Sequence, residues 1–158
     1  MAQKKYGKFH RDKTVDLLIE NEKKLELNKL QTIQNFENKI NLVRSNLQKL
    51  LKKLKEDGKT IAGFGAPTKA TTLMNHFGID EKVLDFIVDE NSLKQGLFTP
   101  LSHIPVLPAN ELYNKRPDYV LILAWNFAEP IMKNHIKYAR EIGDFIIPMP
   151  EPQIVKLD

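Results

Sequence analysis

Lys59-Thr60-Ile61-Ala62-Gly63-Phe64-Gly65-Ala66-Pro67-Thr68-Lys69 is the stretch on which the reading of the fold turns. A short apolar run, Thr60 to Phe64, has strand character and ends in glycine. Pro67 to about Phe77 then suits a helix, with Pro67 at its start, where a missing N–H costs nothing. A strand, a glycine turn and a helix in that order make an anion cradle. Glycine lets the backbone turn sharply and come close to a ligand, and the N–H groups of the first helical turn point at it, helped by the helix dipole. Pro67 lacks one donor, so Thr68 and Lys69 are the nearest contacts, and Lys69 can add its charge. Gly63 and Gly65 fit the G-x-G of the dinucleotide fingerprint, but Thr68 stands where its third glycine belongs. The spacing to the lysine also excludes a Walker loop. Two readings stand at this point: a phosphate-binding loop, and a purely structural tight turn.

Outward toward the C-terminus, strands alternate with helices. Val83 to Val88 reads as a second strand closed by Asp89. Ile104 to Leu107 reads as a short third strand that Pro105 confines to an edge or a loop. Pro108 to Tyr113 suits a short helix. Tyr119-Val120-Leu121-Ile122-Leu123 is an uninterrupted β-prone run, as expected of a parallel strand buried on both faces. Glu129 to about Ile142 reads as one helix and Phe145-Ile146-Ile147 as a last strand. This order predicts an α/β fold, Rossmann-like, with a mostly parallel sheet and helices on both faces. Asp89 falls 24 residues after Gly65, close to where a Rossmann acid meets ribose hydroxyls; it equally suits the start of an Asp89-Glu90-Asn91 turn. Trp125-Asn126 follows the best strand at the ligand edge. The tryptophan can stack on a base or sugar and Asn126 can read a polar edge, or the tryptophan simply covers the end of the sheet.

Outward toward the N-terminus, a long helix from about Lys29 to Glu56 precedes the loop. Its apolar positions Ile33, Phe36, Ile40, Val43, Leu47, Leu50 and Leu54 form a narrow seam of the coiled-coil kind, and Gly58 stops it. The seam serves either packing on the sheet or the preceding helix, or a dimer or inter-domain contact through residues 33–54. Val15 to about Lys24 reads as a shorter helix capped by Thr14. Three parts are therefore expected: a flexible basic tail over 1–13, a helical arm over 14–57 and a nucleotide-binding domain over 58–158.

The formal charge of +4 is carried by that tail, where Lys4, Lys5, Lys8, Arg11 and Lys13 face one acid, Asp12. No basic stripe with interleaved aromatics speaks for nucleic acid. The chain has no cysteine, which excludes disulfides, thiolate metal sites and a cysteine nucleophile. The histidines His10, His76, His103 and His135 show no ligand spacing, so no metal is expected. No apolar run spans a bilayer and no signal peptide is seen, so a soluble cytoplasmic protein without membrane contact is expected. No catalytic constellation is legible.

The block Gly63-Phe64-Gly65-Ala66-Pro67-Thr68-Lys69-Ala70-Thr71-Thr72-Leu73-Met74-Asn75 resembles a G-[YF]-G-A-x-x-K-x-x-T-L-x-N pattern of the nucleotide-sugar C-methyltransferases. Val88-Asp89-Glu90-Asn91-Ser92-Leu93-Lys94-Gln95-Gly96 is similar to their V-D-x-N-x-x-K-Q-G block. Phe98-Thr99-Pro100, His103 to Val106, Arg116 to Leu121 and Ala124-Trp125-Asn126 follow in the family's order. The resemblance covers about residues 14–150 and matches only the family's C-terminal, Rossmann-like domain. It implies zinc and S-adenosylmethionine for other parts of such enzymes, and no cofactor or catalytic residue for this chain. Gly63, Gly65, Ala66, Thr68, Lys69, Asp89, Asn91, Lys94, Trp125 and Asn126 become the expected contacts to a nucleotide diphosphate sugar. A methyl-transfer domain or subunit becomes the expected partner. Two other functions remain open: a small nicotinamide-dinucleotide oxidoreductase or sensor, and an assembly module whose pocket is vestigial.

Overall fold

The computed structural model describes Gly7 and residues 12–157; most of the expected tail lies outside them. The chain divides into two compact units, Met1–Ile40 and Asn41–Asp158. The division falls inside the long helix rather than at Gly58.

In the first unit, α1 covers Lys13–Lys24. Its cap is Asp12, whose Oδ1 accepts the Thr14 N–H at 2.8 Å. Thr14 was the expected cap; the carboxylate two residues earlier takes that place because an acceptor at Asp12, in extended conformation, reaches the free N–H of Thr14 in the first turn. α1 buries no residue. α2 covers Leu30–Glu56, and in its N-terminal part Ile33 and Phe36 are exposed.

The second unit is built on six strands: β1 Ile61–Phe64, β2 Phe86–Val88, β3 Val106–Leu107, β4 Tyr119–Ile122, β5 Asp144–Ile147 and β6 Gln153–Val155. Their order across the sheet is β3-β2-β1-β4-β5-β6. All pairings are parallel except that of β5 with β6. This is the Rossmann-like α/β architecture expected. β3 lies at the edge, as Pro105 required. β6 was not foreseen: it follows the turn at Pro148 to Pro152, and its short Gln-Ile-Val run carries no periodicity of its own.

The helices are α3 Thr68–Phe77, α4 Glu111–Lys115, α5 Ala128–Asn134 and α6 Ile136–Glu141, with a 3₁₀ turn at Trp125–Phe127. The single helix expected over 129–142 is broken at His135, whose backbone leaves the helical region at φ −111° and ψ 29°. Strand alternation sorts the core. Ala62, Phe64, Phe86, Val88, Val120, Ile122 and Phe145 face one side with Leu112, Ala128 and Tyr138 of the later helices. Ile61, Gly63, Ile87, Leu121 and Ile146 point the other way, all buried. β1 to β2 and β4 to β5 step in opposite directions across the sheet, so right-handed crossovers place α3 on one face and α5–α6 on the other. Leu47, Leu51 and Leu54 of α2 are also buried. Leu51 was not in the expected seam; Leu50, which was, is half-buried.

Candidate functional site at the carboxyl edge of the sheet

β1 and β4 are neighbours from which the chain departs in opposite directions, so their carboxyl ends form the switch point at which open α/β sheets place ligands. Gly65 leaves β1 at φ 86°. Its N–H reaches across to the Val88 carbonyl at the end of β2, at 2.7 Å. A Cβ on Gly65 would lie 2.8 Å from the Cβ of Ala124, beyond β4, so both the turn and the close approach require glycine. Pro67 then caps α3 without a side-chain hydrogen bond to its first turn. Thr68, exposed, and Lys69, half-buried, occupy that turn.

Lys69 folds back over the aromatic pair after β4. Its Nζ lies 4.8 Å from the Trp125 ring centroid and 5.6 Å from that of Phe127. This is cation–π range, and it places an ammonium group at the carboxyl edge of the sheet, with no acid paired to it among the described residues. Asn126 is exposed on the same 3₁₀ turn. Gly65, Thr68, Lys69, Trp125 and Asn126 thus meet at one edge. Gly63 does not share the rim. It is buried inside β1, where a Cβ would come within 2.8 Å of Ile87 and 2.9 Å of Leu123, so its smallness serves sheet packing.

Asp89 ties the loops together. Its Oδ2 accepts the Ala66 N–H at 2.7 Å and the Lys94 ammonium at 3.0 Å, and its Oδ1 accepts the Asn91 N–H at 2.8 Å. Burial alone would raise its pKa; the backbone bonds from Ala66 and Asn91 and the pairing with Lys94 outweigh it and hold the carboxyl below its ordinary value. Ala66 and Lys94 are therefore engaged within the protein. Asn91 caps its own turn by accepting the Leu93 N–H. Gln95, which the sequence did not single out, donates to the Asp89 carbonyl at 3.0 Å.

Beneath these loops sits His135, 8% exposed. Its Nδ1 is 3.0 Å from the Tyr113 hydroxyl, and its ring meets Phe64 edge-on at 4.9 Å. Its Nε2 is buried without a hydrogen-bond partner, with Glu90 Oε1 3.8 Å away. Burial pushes its pKa down, and Glu90 offsets this in part. In the sequence this histidine stands out only as one without ligand spacing. Nothing local marks its place, because Tyr113 comes from α4 and Glu90 from the connection between β2 and β3. Phe127 was also missed, and the signal was its closeness to Trp125 on the same turn. Among the described residues no three His, Asp or Glu side chains gather where a metal could sit. With no cysteine either, nothing here fits the zinc that the resemblance assigns to other parts of the family's enzymes. No helix among the described residues is long and apolar enough to cross a membrane.

Fold and edge together define a Rossmann-like α/β domain with a glycine turn and a lysine at its switch point. The chain belongs to the C-methyltransferase C-terminal domain family, whose profile matches residues 1–150. It is 38% identical over 116 residues to the C-methyltransferase NovU of Streptomyces niveus; the match covers 73% of this chain and 28% of that relative. The chain thus spans well under half the length of that relative. Among solved structures, the UDP-D-quinovosamine 4-dehydrogenase of Vibrio fischeri aligns over 63% of this chain and 95% of that one, with 12% identity and a TM-score of 0.43.

Proposed function

We propose that this chain holds the diphosphate and nucleoside of a nucleotide sugar at the carboxyl edge of its sheet, as the substrate-holding module of a sugar C-methyltransferase. Methyl transfer itself belongs to chemistry outside the chain. Family membership supports the enzyme class, and the relative's name supports methylation at carbon. The observation that carries the binding reading is Lys69. An ammonium at the start of a helix is disfavoured by the helix dipole, and this one is held over the rings of Trp125 and Phe127 at the carboxyl edge. A dianionic phosphate reverses that electrostatic penalty, while the aromatic faces remain to stack on a base or sugar. Calorimetry with uridine diphosphate, thymidine diphosphate and inorganic pyrophosphate tests it. Binding that weakens as salt rises is expected. No heat and no thermal shift at millimolar concentrations of all three would refute it. Tight NADH binding with energy transfer from Trp125, the only tryptophan, would shift the assignment to a nicotinamide dinucleotide.

A further inference from the structure

The acid that ends β2 is where an open α/β sheet normally meets a ribose diol, and Asp89 holds that position. Its hydrogen-bonding capacity, however, is nearly spent. A carboxylate has about four acceptor sites; three of Asp89's take Ala66, Asn91 and Lys94. Its charge is balanced by Lys94 at 3.0 Å, and the residue is 7% exposed. Asp89 builds the loop and has little left for a ligand.

The next residue differs in each respect. The Glu90 side chain is 67% exposed, and its Oε1 lies 3.8 Å from His135 Nε2. His135 is itself unusual. It is more than nine-tenths buried under the end of β1, and only one of its ring nitrogens has a hydrogen-bond partner. A buried imidazole nitrogen without a partner is costly. If the Tyr113 hydroxyl donates to Nδ1, the ring proton resides on Nε2 and points at Glu90. A shift of about 1 Å in an exposed side chain closes that gap to hydrogen-bond length. The closed pair fixes one carboxylate oxygen of Glu90 and leaves its remaining lone pairs at the carboxyl edge, beside the loop that Asp89 ties to Gly65-Ala66. A carboxylate held in this way is an acceptor for the two hydroxyls of a vicinal diol.

We propose that Glu90, and not Asp89, is the residue that reads the ribose hydroxyls of the bound nucleotide, with His135 as its positioning residue. The inference rests on the nucleotide-binding reading above, and it names the residue that sets sugar specificity within that site.

The test measures binding of inorganic pyrophosphate, uridine diphosphate and 2′,3′-dideoxyuridine diphosphate to the full chain. The parent protein is expected to prefer the ribose form over the dideoxy form by about tenfold, the size of a hydrogen bond to a charged group. Glu90→Ala is expected to bring that ratio close to one while pyrophosphate binding holds, and its exposed side chain makes the fold insensitive to the change. His135→Leu is expected to reduce the ratio, and His135→Gln, which keeps an N–H toward Glu90, to restore it. If neither pyrophosphate nor uridine diphosphate binds, the nucleotide reading falls and this inference with it. If both bind but the parent does not distinguish ribose from dideoxyribose, or Glu90→Ala still distinguishes them, the assignment of Glu90 alone is overturned. If discrimination is unchanged in His135→Leu, the positioning role is overturned.

Discussion

Gly65 combines a left-handed backbone at φ 86° with a Cβ direction that ends 2.8 Å from Ala124. Gly65→Val therefore adds both a conformational penalty and a clash, about 2–4 kcal/mol together. The variant is expected to lose diphosphate binding, read by calorimetry on the fraction that stays folded. Lys69→Met separates charge from shape. Most of the apolar stem is kept, and the ammonium is lost together with its cation–π contacts to Trp125 and Phe127. Binding of uridine diphosphate is expected to weaken by about 1–2 kcal/mol and its salt dependence to flatten, with the melting temperature nearly unchanged. Equal affinity and equal salt slope in parent and variant would remove Lys69 from the site. At this scale the sequence was legible where one residue has a strict backbone duty. Gly65 declared itself because little else fits a sharp turn between a strand and a helix. The engagement of Ala66 and Lys94 by Asp89 was not legible, because a carboxylate reads the same in sequence whether its oxygens face a ligand or the protein.

Among the elements, α2 has two kinds of apolar position that its heptad spacing cannot tell apart. Leu47 is fully buried, whereas Phe36 is 63% exposed. Leu47→Asp is expected to unfold or strongly destabilise the second unit, by at least about 3 kcal/mol, since it buries an unpaired charge. Phe36→Asp is expected to change the stability of the isolated chain by no more than about 0.5 kcal/mol. Thermal melts of the two variants, side by side, check the contrast. Equal losses would mean that the exposed half is covered in solution. The connection from α6 to β5 is tighter still. A Cβ on Gly143 would collide with the Asp118 carbonyl oxygen and come within 2.7 Å of that of Pro117 and 2.6 Å of the Tyr138 hydroxyl. That hydroxyl donates to Pro117 across the same gap. Gly143→Ala is expected to cost about 2–3 kcal/mol, although glycine to alanine is ordinarily benign. The alternating β and α order was readable because β1, β2 and β4 are continuous apolar runs. The break at His135 was not, since residues 129–142 keep a helical apolar pattern on both sides of it and the deviation comes from tertiary contacts. Tyr113 and Phe64 hold the His135 ring in the interior from other elements.

For the second unit as a whole, the buried titratable groups predict how stability follows pH. His135 has a folded-state pKa below its ordinary 6.5, with burial as the main cause and Glu90 opposing it. Below pH 6.5 the unfolded chain takes up this proton before the folded one does, so stability falls as pH drops from there toward the folded value. The slope is at most about 1.4 kcal/mol per pH unit for one proton. Asp89 acts at lower pH. Its folded pKa is depressed from 3.8, so its contribution is fully present above that value and is lost as pH falls through the folded value. Two separate declines are therefore expected in melting temperature, one beginning near neutrality and one below pH 4. His135→Gln cannot titrate and still offers an N–H toward Glu90. It is expected to abolish the upper decline and leave the lower one, in calorimetric scans between pH 8 and pH 3. If the upper decline persists in that variant, the proton uptake belongs elsewhere and His135 is not the buried neutral imidazole on which the closure of Glu90 depends.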